Sequence, residues 1–140
     1  MKDAKRLLTR EFLVLNFIIF LTYCNIAVFF QLHQYLAHTL HISEEGTGFL
    51  IGLFALTALV IRPVISSLLH PDNARKRIFF GAAGVFGSLL FYHLAKGFPG
   101  MAAVRIVHGA FYVLMATAVM ARLVACIPKA RSAEAFGIIS

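Results

Sequence analysis

The stretch "IRPVISSLLHPDNARKR", residues 61–77, places an arginine and a proline inside an apolar run and follows them with three consecutive cations. Both insertions are costly in a helix that must cross a bilayer. An arginine at the centre of a crossing costs roughly 2.5–3.5 kcal/mol on insertion scales, and less where its stem snorkels toward an interface. A proline removes one backbone hydrogen bond and bends the helix. The flanks decide how the stretch is read, and both are apolar: about 47–69, which contains Arg62 and Pro63, and about 78–94.

Two more runs of the same kind lie further out. Residues 12–32 carry no charge, and about 100–127 carry one arginine near each end, Arg105 and Arg122. Each run approaches or exceeds the ~20 residues a helix needs to cross ~30 Å of hydrocarbon. A crossing must satisfy its own backbone hydrogen bonds, which selects helices, and the lack of regular alternation argues against a barrel. The expected fold is all-α: a polytopic transmembrane helical bundle with four spans in a region 12–134, after a cytoplasmic segment 1–11. Residues 135–140 open another apolar stretch and are read as the start of a truncated fifth helix, so these 140 residues are expected to be a piece of a longer chain.

Composition agrees. Of 140 residues, 60% are hydrophobic and only 14% charged, and the mean hydropathy is +0.83. A soluble domain carries about 25% charged residues, so there is too little polar material here to build a surface facing water. The net charge of +7 does not suggest nucleic acid as a partner, because the cations form short clusters between apolar runs rather than one basic face. Their distribution sets topology instead. With the N-terminus inside, Lys2, Lys5, Arg6, Arg10, Arg75, Lys76, Arg77, Lys129 and Arg131 are cytoplasmic, and only Lys96 lies in an outer loop. That bias places the N-terminus in the cytoplasm. The first run is too long for the 7–15-residue core of a cleaved signal and no cleavage site follows it, so it is read as a retained span.

Smaller features fit the same frame. Gly48 and Gly52 form a G-x-x-x-G pair, and Gly81, Gly84 and Gly87 recur every third residue; both sets are expected where helices approach closely. Cys24 and Cys126 sit in apolar runs and are read as small buried hydrophobes. His33, His38 and His41 lack an accompanying cysteine or aspartate cluster, and no metal site is assigned to them. No nucleophile elbow, phosphate loop, metalloprotease helix or dinucleotide fingerprint is present, so neither an enzyme nor a cofactor is expected.

Two segments carry a family resemblance. "RPVISSLLHPDNARKR" resembles the signature between the second and third helices of the major facilitator superfamily, commonly R-P-x-x-G-x-x-x-D-R-x-G-R-R. Arg62 and Pro63 match its start, and Arg75, Lys76 and Arg77 its basic end. Without gaps the family's glycine falls on Ser66 and its aspartate on His70, Asp72 lies two positions later, and the basic end needs one extra residue. "RIVHGAFYVLMATAVMARLVACIPKARSAEAFG" resembles the family's fourth helix and exit loop, with Arg105, Gly109, Pro128 and Gly137 in register. The resemblance implies about four of the usual twelve helices, the N-terminal part of a secondary transporter in a bacterial inner membrane. It implies alternating-access movement of a small solute, with efflux favoured over uptake, and the remaining helices of the transporter and the lipid bilayer as partners. Helices 1, 2 and 4 would border the central cavity.

The resemblance also assigns roles. Arg62, Pro63, Asp72, Arg75, Lys76, Arg77 and Arg122 would form a conformational latch at the cytoplasmic mouth, with Arg122 the expected partner of Asp72. Arg105 is either an interfacial cation reaching headgroups or a cavity-facing one that binds an anionic substrate group. His108, one turn away, is a packed polar residue or a site for a coupling proton. Tyr23 and Asn25, with Asn16, either make interhelical hydrogen bonds or, for Tyr23 and Asn25, line the cavity. The spans contain no acidic residue, so a driving carboxylate would lie in other helices. The rival reading is a small four-helix membrane partner or scaffold protein, or an inactive truncated transporter; eight further spans encoded downstream would favour the transporter.

Overall fold

A computed structural model describes residues 7–28 and 31–139. Those residues are helical apart from short connections. Helix α1 spans Arg10–Val28, and a seven-residue helix α2, Leu32–His38, follows it. Helix α3 (Glu44–Leu68) starts at a Ser43 cap whose hydroxyl accepts the Gly46 N–H at 3.2 Å, with Glu44 and Glu45 in the first turn, where a carboxylate meets the positive end of the helix dipole. It runs through Pro63 without ending. Helix α4 covers Pro71–Leu94 and α5 Gly97–Cys126; a 3₁₀ turn, Lys129–Arg131, leads into α6, Ser132–Ile139. Among the described residues, four segments are long and apolar enough to cross a membrane: Arg10–His38, Glu44–Leu68, Asp72–Leu94 and Gly97–Cys126.

The basic run of the opening stretch is not a loop. Only Leu69 and His70 separate α3 from α4, and Asp72, Arg75, Lys76 and Arg77 lie on the first turns of α4. The cause is local. Proline is favoured in the first turn of a helix, where its missing N–H costs nothing. Asn73 then closes the turn: its side-chain oxygen accepts the His70 N–H at 3.1 Å and its amide donates to the Leu68 carbonyl at 3.1 Å. The charges at this end therefore sit on a rigid helix rather than on a strap.

Helix α5 is the hub. It packs most extensively on α4, then α3, then α1, while α2 rests on α3. Its buried residues, among them Arg105, His108, Tyr112, Val119 and Leu123, recur at three- and four-residue intervals over a broad face. Glycines permit the closest approaches. A Cβ at Gly81 would stand 2.8 Å from the Met115 backbone nitrogen, one at Gly84 would collide with the Phe111 ring, and one at Gly109 would meet Thr57 and the Phe54 carbonyl at 3.2–3.3 Å. Gly48, Gly52 and Gly87 have nothing within 4 Å of that position, so the G-x-x-x-G pair expected to pack lies open in this chain.

The outer surface is what a bilayer requires. Leu59, Phe79 and Leu90 are each more than 70% exposed, a degree of apolar exposure that soluble monomers rarely show over large patches. Polar side chains at membrane depth bond back to their own helix: Thr22 donates to the Ile18 carbonyl, Thr57 to Leu53, Ser88 to Val85 and Asn16 to Phe12, at 2.6–2.9 Å. Asn16 is thereby satisfied within α1.

Candidate functional site

Two groups of polar residues stand out inside this apolar bundle. The first lies between α3, α4 and α5. Arg105 is only 3% exposed, and its guanidinium donates from Nε to the Leu50 carbonyl and from an Nη to the Ile51 carbonyl, each at 2.9 Å. Those carbonyls belong to the first turns of α3. The Arg105 guanidinium also sits 5.2 Å from the centre of the Phe54 ring, within cation–π range. His108 packs edge-on against the same ring at 5.3 Å, and Tyr112 lies tilted against it at 5.1 Å. On the far side Tyr92 of α4 shares a 3.2 Å hydrogen bond with His108 Nδ1.

Arg105 and His108, one turn apart on α5, thus meet over a single ring. The fully buried His108 and the nearly buried Arg105 are held by three helices at once. Phe54 and Tyr92, which complete the group, are not apparent in the sequence, because each is one aromatic among many in an apolar run. Of the two alternatives for Arg105, the headgroup-facing one does not describe this conformation, since the side chain turns inward onto α3.

The second group lies where the start of α1, the start of α4 and the end of α5 come together. Glu11, one residue into α1, accepts a 2.7 Å hydrogen bond from Arg122 Nε on α5, and the same carboxylate oxygen lies 4.0 Å from an Arg75 Nη on α4. Arg122 was expected to pair with Asp72; the partner it has is Glu11. Asp72, Lys76, Arg62 and Pro63 are exposed, and Arg77 is half-buried. Of the expected latch residues, this structure brings Arg75 and Arg122 together around one carboxylate.

Between α1 and α4, and backed by α5, runs a cleft of about 980 Å³. Its walls are apolar, with Val14, Ile18, Phe79 and Phe86 among them, and Arg10, Glu11, Arg75 and Arg122 stand at one end. Asn25 lines this cleft and Tyr23 does not. Residues two apart on a helix point about 200° apart, and here Asn25 turns to the cleft while Tyr23 turns away from it. Tyr23 is 64% exposed on the other side of α1.

Comparison with known proteins adds one finding. A family model described as the Major Facilitator Superfamily matches residues 15–140. No curated protein and no solved structure matches the chain.

Proposed function

The chain belongs to the Major Facilitator Superfamily, and on that premise we propose that it forms the N-terminal portion of a secondary transporter that moves a small solute by alternating access. That this is an integral membrane protein of a transporter family follows from the match and the four apolar helices. The finer reading is ours. The N-terminus lies in the cytoplasm, the membrane is a bacterial inner membrane, the direction is efflux, and the solute path is completed by further helices.

The observation that carries the reading is Arg105. A guanidinium inside a membrane bundle is expensive and marks function more often than packing. Here it is held with His108 at the junction of three helices, where a shift of α5 against α3 would alter its hydrogen bonds. We assign Arg105 and His108 to the solute and coupling-proton path, with Tyr23 and Asn25 presented by opposite sides of α1. Arg62, Pro63, Asp72, Arg75, Lys76, Arg77 and Arg122 form the cytoplasmic latch, whose contacts change between inward- and outward-open states.

The direct test uses inverted membrane vesicles containing the full transporter, energised by a proton gradient and offered a panel of fluorescent organic cations and anions. Accumulation of at least one probe supports efflux; gradient-driven loss of a preloaded probe reverses the direction, and no movement of any probe favours the scaffold. In the same vesicles Arg62→Gln or Asp72→Asn is expected to slow transport about tenfold, the scale of one lost charge interaction of about 1.4 kcal/mol, with unchanged amounts in the membrane. Unchanged rates in both variants remove these residues from the latch.

A further inference from the structure

Of the four long helices, α1 is the one least covered by the others. It packs on α5 alone among the long helices to any extent, and along its α4 side it faces the cleft. The end of that cleft holds three guanidinium groups, Arg10, Arg75 and Arg122, and one carboxylate, Glu11. These four are the charged side chains that α1, α4 and α5 contribute there. The carboxylate uses one oxygen for both neighbours, donated to by Arg122 at 2.7 Å and 4.0 Å from Arg75.

The two arms are unequal. Arg122 and Glu11 are partly shielded, with side chains 29% and 40% exposed, whereas Arg75 is 74% exposed. A short, charge-assisted contact between half-buried groups persists, while a long contact to a solvated arginine is weak and readily exchanged. A strong arm to the hub and a weak arm across an open cleft make a tether with one fixed end and one that can release.

We propose that Glu11 is the positioning residue of the first span: through one carboxylate it ties α1 to α5 and holds the cytoplasmic ends of α1 and α4 together across the cleft. The signature aspartate falls on His70, and Asp72 points into solvent, so the counter-charge for this basic end comes from a residue 111 positions away from Arg122 in sequence. Without it, Arg10, Arg75 and Arg122 keep only the more distant Asp72 as a counter-charge from the first turn of α4, and their repulsion drives α4 away from α1. The tether rests on the packing of these four spans and holds whether or not the transport reading does. If that reading holds, Glu11 also belongs to the latch.

The test is a distance measured in the membrane-embedded full chain. Spin labels at Val14→Cys and Phe79→Cys, on opposite walls of the cleft, are placed in a background with Cys24→Ser and with Cys126→Ser, whose hydroxyl keeps the donor that the Cys126 thiol offers Glu11, and reconstituted in nanodiscs. Glu11→Gln is expected to move the mean inter-label distance to longer values and broaden it. Asp72→Asn leaves the distribution as it was, and Glu11→Asp, which keeps a carboxylate between Arg122 and Arg75, stays nearer the parental distance than Glu11→Gln. A Glu11→Gln distribution that matches the parent, or an Asp72→Asn distribution that shifts equally, overturns the proposal. Should Glu11→Gln fail to fold, Arg75→Gln decides: a longer and broader distribution supports the tether, and the parental one refutes it. A purely local stabilising role would lower thermal stability without moving the distance, which also counts against the proposal.

Discussion

Gly81→Leu is expected to abolish the well-folded bundle, whereas Gly48→Leu leaves it intact. A Cβ at position 81 would lie 2.8–2.9 Å from the backbone nitrogen, Cα and Cβ of Met115. Backbone cannot rotate away as the end of a side chain can, so α4 and α5 would have to separate along their largest contact. Overpacking a well-packed core costs about 1–3 kcal/mol, occasionally more. In lipid the loss is not offset elsewhere, because close approach at small residues is itself what drives helix association. We expect the upper end of that range or beyond, read as loss of the monodisperse peak in detergent chromatography and a large drop in midpoint temperature. At Gly48 the same leucine meets open space and shifts stability by less than about 0.5 kcal/mol, the usual range for surface positions. A tolerated Gly81→Leu would mean that α4 and α5 do not meet as described. Equal damage at Gly48 would mean that another helix covers that face of α3.

The same glycines show how far a sequence reading reaches. Four spans were legible because the runs are long and the charge between them is sparse, and both are properties of single segments. Which glycine meets a neighbour is not such a property. Steps of three residues turn about 300°, leaving each glycine rotated by about 60° from the last. Gly81 and Gly87 are thus about 120° apart and cannot face one partner, and it is Gly81 and Gly84 that meet α5. The same arithmetic is consistent with the separation of Tyr23 from Asn25, although Thr22 and Cys24, also two apart, both line the cleft. The helical character of Asp72–Arg77 was also encoded, in Pro71 and in an asparagine placed to reach back to Leu68. Net hydropathy hid it, because cations beyond an apolar run read as its end.

Pairings across the chain were the least legible. Arg105 and His108 were visible as unusual residues one turn apart, yet nothing local says that Phe54 and the Leu50 and Ile51 carbonyls would receive them. Glu11 is one carboxylate at the end of a basic N-terminal segment, and nothing local marks it. Its partners are set by how α1 and α4 lie on α5, a tertiary outcome that hydropathy does not carry. What the sequence identified was which residues are too costly to be idle, and what the fold added was whom they touch.

Arg105→Met is expected to leave the bundle about as stable as before and to cost transport at least tenfold. The magnitudes decide this. An arginine at membrane depth costs roughly 2.5–3.5 kcal/mol on insertion scales. Against that stand hydrogen bonds from a charged donor to the Leu50 and Ile51 carbonyls and to Tyr92, each about 1.5–3 kcal/mol in soluble proteins but averaging about 0.6 kcal/mol between membrane helices, and a cation–π contact of about 0.5–2 kcal/mol. The terms nearly cancel, so the arginine adds little net stability, and methionine, long and adaptable, fills the space between α3 and α5 without a charge. Unfolding in mild detergent should therefore change by no more than about 1 kcal/mol. Arg105→Ala, which leaves a cavity beside Phe54, should lose about 2–3 kcal/mol. Arg105→Lys should not restore transport, because one ammonium cannot reproduce the planar fork that meets two carbonyls at 2.9 Å while lying near the Phe54 ring. If Arg105→Met instead unfolds the bundle, the guanidinium is a staple between helices and its function ends there. If Arg105→Met is stable and transports normally, Arg105 lies outside the solute path, and the reading of this buried group as the core of the transport site fails.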